Sequence, residues 1–169
     1  MGRIHLFEVE DLAACPSWLR NAITEMISVV HRWFATADIL AKEIEPILTK
    51  HPDAPVTLVD FCSGHGGPMP VVLQRLKQQP SEAGQGIGKP LRLVLTDLHP
   101  SASAVERYRN HSIAGIRYLE SPIDATSFQH HEIDMIDENV DVVIRTMICS
   151  FHHLAPQQGL VFPYQQAHA

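Results

Sequence analysis

The chain is organised around short apolar runs that end in acidic residues or glycine turns. Val56–Cys62 is such a run; it breaks into Ser63-Gly64-His65-Gly66-Gly67, and helical spacing resumes over Val71–Gln79. Pro68 and Pro70 sit where that helix begins, in the turn where a missing N–H does least harm. Leu91–Leu95 is a second run, leading into Thr96-Asp97, and Ser101–Arg109 reads as a helix with Ser101 near its cap. Ile116–Leu119 is a brief third strand and Val140–Met147 a fourth. Strands apolar on both faces, separated by helices, predict a parallel sheet covered by helices on both sides. Pro80–Pro90, rich in Ser, Gly and Gln, reads as a loop between the first helix and the second strand.

Ahead of this core, Ser17–Lys50 reads as helix. Leu19, Ile23, Met26, Ile27, Val30 and Phe34 follow helical spacing and fall on one face, and Leu40, Ile44, Ile47 and Leu48 repeat the pattern. These helices are expected to cap the sheet and contribute core, with Trp18 and Trp33 packed or lining a pocket and Arg20, Asn21 and Glu25 helping to close it. His51-Pro52-Asp53-Ala54-Pro55 then halts the helix. The expected division is a helical cap over residues 1–55, a core over 56–156, and an uncharged tail over 157–169.

Composition narrows the partners. Of 169 residues, 45% are hydrophobic and 19% charged, which suits an ordinary globular domain. The net charge of −6 and the absence of a basic stripe disfavour nucleic acid. No run of about 18 apolar residues exists to span a bilayer, so no membrane is expected. Three separated cysteines without a signal-peptide layout predict reduced thiols in the cytoplasm.

In an open parallel sheet, ligands bind beyond the carboxyl ends of the strands. Asp60 and Asp97 end the first two strands and Asp124 follows the third, so three carboxylates are expected at one crevice. The glycine turn fails the dinucleotide pattern, since its third glycine would fall on Met69. A pyrophosphate also disfavours a carboxylate beside the turn, whereas a cation gains from it. S-adenosylmethionine is such a ligand, with an ammonium, a sulfonium and no phosphate. Asp97 would accept from its ribose hydroxyls and Asp124 from its adenine amino group.

At these residues the chain resembles a known family. Val56–Gly67 resembles the first motif of the class I S-adenosylmethionine-dependent methyltransferases, with Cys62 where that family often has glycine. Leu93–Pro100 resembles the second motif, Tyr118–Thr126 the third, and Val140–Pro156, with its His-His-Leu, the fourth of the small-molecule type. The resemblance implies a Rossmann-like, doubly wound, mostly parallel sheet in the order 3-2-1-4, with the later strands missing or replaced. It implies cofactor contacts from Asp60, Cys62, Ser63, Gly64, Gly66, Asp97, Leu98, Asp124, Ala125 and Arg145, and a small-molecule methyl acceptor beside His152 or His153. With the later strands missing, the fourth strand becomes an edge. Three outcomes stay open: the tail covers it, a second copy or a partner chain pairs with it, or the chain is a truncated form of a longer enzyme.

Other features have plainer readings. The histidine pairs His130-His131 and His152-His153 lack ligand spacing, and no metal is expected. Cys62, beside a helix start, reads as a cofactor-loop residue rather than a nucleophile. Arg145, inside an apolar strand, needs a partner such as Asp60 or a substrate acid, or else marks a solvated strand end. The rivals to a methyltransferase are a non-catalytic S-adenosylmethionine-binding or protein-interaction module and an NAD-dependent oxidoreductase.

Overall fold

The computed structural model describes residues 12, 14–78, 90–110, 115–128, 142–150 and 154. In chain order its elements are α1 (Ser17–Trp33), α2 (Thr36–Lys50), β1 (Val56–Phe61), α3 (Met69–Gln78), β2 (Leu91–Leu95), α4 (Ala102–Asn110), β3 (Ile116–Tyr118) and β4 (Val142–Met147). The strands form one sheet in the order β3-β2-β1-β4, and all three pairings are parallel. This is a Rossmann-like α/β architecture.

Register explains the core. β1 lies centrally, with Leu58 opposite Leu93 on one side and Ile144 on the other, and all of its residues are buried. Alternation sends Val56, Leu58 and Asp60 to one face and Val59 and Phe61 to the other. The first face packs against Ile44 and Leu48 of α2, Val72, Leu73 and Leu76 of α3, and Ala104 and Tyr108 of α4. On the opposite face Val59, Phe61, Val94 and Met147 meet Ala125, Phe128 and Leu154, and Phe61 and Phe128 touch edge to face at 5.1 Å. Fully burying an aliphatic or aromatic side chain is worth roughly 1.5–3 kcal/mol, so β1 anchors the fold from both sides.

The N-terminal helices divide where Ala35 adopts φ 48°, a left-handed residue that reverses the chain. The expectation that both helices supply core holds for α2 and fails for α1. Leu19 and Ile23 are half-buried, whereas Met26, Ile27, Val30 and Phe34 are exposed, as are Trp18 and Trp33. The cause is that α1 docks through its polar side. Asn21, Thr24 and Glu25 meet the glycine turn and the start of α4. None of the described helices is long and apolar enough to cross a membrane.

Candidate ligand site at the strand tips

Three backbone bonds zip the strand tips together. Thr96 N donates to Asp60 O at 2.9 Å, Ser63 N donates to Thr96 O at 3.0 Å, and Ile123 N donates to Asp97 O at 2.9 Å. The three sequence-predicted aspartates therefore occupy neighbouring positions at the carboxyl end of the sheet. Their side chains differ in setting.

Asp60 is 2% exposed. Its Oδ2 accepts from Ser63 Oγ at 2.8 Å and its Oδ1 from Thr146 Oγ1 at 2.7 Å, so the carboxyl ties the glycine turn to β4. Burial pushes its pKa up to about 7; the two hydroxyl bonds oppose that rise and the negative charge of Asp97 adds to it. Arg145, for which Asp60 was one of the expected partners, is not on that face. Register sets Thr146 opposite Asp60 and Arg145 opposite Val59, and the Arg145 guanidinium lies over the Phe128 ring, 5.6 Å from its centroid. Alternation along a strand is the physical reason: one residue decides the face.

Asp97 is half-buried. Its Oδ2 accepts the Gly64 N–H at 2.8 Å and its Oδ1 the His99 N–H at 2.8 Å. Leu98 beside it is exposed. Asp124 is exposed, with Oδ1 taking both the Thr126 N–H and the Thr126 hydroxyl, while Ala125 is buried in the second core cluster. His152 and His153 lie outside the described residues.

The glycine turn is held from beneath. Tyr108 and Tyr118 stack with centroids 6.0 Å apart; Tyr118 Oη donates to Gly64 O at 2.8 Å and Tyr108 Oη to His65 O at 3.1 Å. A Cβ on Gly66 would overlap the Tyr108 hydroxyl, and φ there is +101°. Cys62, standing where a glycine was the comparison residue, takes φ 55° all the same. That is a left-handed conformation without the freedom that glycine has.

α1 closes the flank. His65 is buried, with Nδ1 3.2 Å from Glu25 Oε1 and Nε2 2.9 Å from Ser101 Oγ. Burial depresses the His65 pKa despite Glu25, and the hydrogen bond from Arg107 holds Glu25 below its ordinary value. The roles of Thr146, Tyr108, Tyr118 and Thr24 are invisible in the linear sequence. Their only signal is type: a polar residue near the end of an apolar strand, and two aromatics in phase with the core.

The arrangement has a chemical bias. Of the turn's amides, the Ser63, Gly64 and Gly66 N–H groups all donate to protein oxygens. A phosphate entering here would have to displace those bonds, and it would meet the Asp97 and Asp124 carboxylates. A cation with hydroxyl and amino donors meets acceptors instead. No family model, no curated protein and no solved structure matches the chain.

Proposed function

We propose that the chain binds S-adenosylmethionine at the strand tips and is an S-adenosylmethionine-dependent methyltransferase acting on a small molecule in the reduced cytoplasm. The observation that carries this reading is the Gly64 N–H donated to the Asp97 carboxylate, which turns the loop from an anion cradle into a rim of acceptors. The residues fit the group. Each Asp97 oxygen accepts one backbone N–H and keeps lone-pair capacity for ribose hydroxyls; Asp124 Oδ2 is left for the adenine amino group. Asp60, beneath them, supplies negative charge when ionised, the form that a bound cation favours.

S-adenosylmethionine supplies a methyl group activated by its sulfonium. The chain's own work is positioning, since an in-line displacement needs little acid–base machinery and gains most from a fixed approach. Asp97 and Asp124 would orient the two ends of the nucleoside, and the stacked tyrosines hold the loop. His152 or His153, next in sequence after β4, is assigned the proton of an acceptor hydroxyl, amine or thiol.

Calorimetric titration with S-adenosylmethionine, S-adenosylhomocysteine and NAD tests the reading. Binding of the first two, lost in Asp97→Ala, is the expected result; binding of NAD alone, or of none, overturns it. A non-catalytic module is the second reading, favoured by β4, which pairs with β1 alone among the described strands and so offers an edge to a partner chain. Methylated product formed from a cell extract supports the enzyme; cofactor binding without product supports the module.

A further inference from the structure

α1 is built inside out. Its polar side faces the protein: Asn21 Oδ1 accepts from Ser101 Oγ at 3.3 Å, Thr24 packs on Gly64, and Glu25 accepts from Arg107 Nη2 at 2.8 Å. Its apolar half faces out, with Trp18 69%, Met26 61% and Trp33 83% exposed, and Phe34, just past its end, is 71% exposed. An apolar arc of this extent on a monomer marks an interaction site rather than ordinary surface.

The pattern of the arc points to its occupant. Trp18, Ala22, Met26, Val29 and Trp33 recur at steps of four, four, three and four residues, which keeps them on one stripe of the helix, as in an 11-residue pairing repeat. Trp18 and Trp33 are centred on the same point as Ala22 and Val29, and Met26 lies beside that point. An antiparallel copy turned about a two-fold axis there sets Trp18 against the partner's Trp33 and the small Ala22 against the partner's Val29. Met26, an adaptable gap-filler, falls at the axis. Self-complementarity of this kind is what a two-fold interface requires.

Area and charge agree. Large aromatic side chains each bury about 150–250 Å², so the exposed ones here, with Met26 and Val30, offer roughly 500 Å² per copy and about 1,000 Å² for a pair, near the lower bound for a specific interface. The seam itself carries no charge, and the chain's net charge of −6 together with the few basic residues on α1 disfavours an anionic lipid surface. We propose that α1 is a self-association face through which two copies of the chain pair antiparallel about a two-fold axis at Met26. The pairing needs no bound ligand and stands apart from the cofactor reading.

Sedimentation equilibrium of the full chain at micromolar concentration tests it, with circular dichroism and melting as folding controls. The expected result is a dimer whose dissociation constant rises at least ~30-fold in Met26→Glu, with the helix content unchanged. Ala22→Lys, at a second exposed seam position, is expected to behave alike. A monomeric wild-type chain overturns the proposal, as does a dimer that both variants leave intact. So does a monomer that cosediments with phosphatidylcholine–phosphatidylserine vesicles.

Discussion

At Asp60, burial disfavours the ionised carboxyl more than the Ser63 and Thr146 hydroxyls restore it, which is why its pKa rises from 3.8 to about 7. Between those values the folded chain holds a proton that the unfolded chain has released, so the contribution of Asp60 to stability is fully present below about pH 4, falls as pH rises through the window, and is flat above it. The loss over the window is on the order of 4 kcal/mol. Asp60→Asn removes the ionisation while keeping a hydrogen-bonding amide. In urea denaturation at about pH 8 it is expected to gain roughly 1–3 kcal/mol over wild type, with little gain near pH 4. Backbone demands nearby are separable in the same way. Gly66→Ala meets both a left-handed φ and the Tyr108 hydroxyl, whereas Gly67→Ala meets only φ 48° in open space. The first is expected to cost more than about 3 kcal/mol and the second about 1 kcal/mol. Cys62→Val, a β-branched residue forced to φ 55°, is expected to lose about 1–2 kcal/mol by the same measurement.

Among the elements, the strands were readable from sequence because a run buried on both faces has few alternatives. Val56 and Leu91 begin β1 and β2 as expected, and Ile116 begins β3. Helix α2 was readable for a similar reason, its Ile44 and Leu48 lying one turn apart on the core. The orientation of α1 was not. Periodicity defines an apolar face but not what it faces, and here the polar side found Gly64, His65, Ser101 and Arg107, all distant in sequence. The pairing of Arg145 with Asp60 failed for want of register: Thr146, one residue on, takes the place beside Asp60. One element also carries a removable defect. Pro46 lies inside α2 on its exposed side, where it lacks an N–H for the helix. Pro46→Ala is expected to raise stability by about 1–2 kcal/mol, after allowing for the freedom it returns to the unfolded chain, and thermal melting reads the gain.

For the whole molecule, the strand order 3-2-1-4 brings β1, β2 and the stretch after β3 to a common end, so three acidic residues far apart in sequence become backbone neighbours. The Asp-bearing tips were legible because a parallel sheet fixes where its ligands bind; the division of labour among the carboxyls was not, since burial alone made Asp60 a clamp and left Asp97 and Asp124 accessible. A bound cation favours the ionised form of Asp60, so cation binding should expel its proton. The most direct measurement is calorimetric titration of the full chain with S-adenosylmethionine at about pH 5.5 and about pH 7.2, the latter still below the ordinary α-amino pKa of about 8. Roughly tenfold tighter binding at the higher pH, with proton release on binding larger at the lower pH, is the expected outcome. An affinity equal at both pH values, or no binding at either, would contradict a cation held over the buried carboxyl.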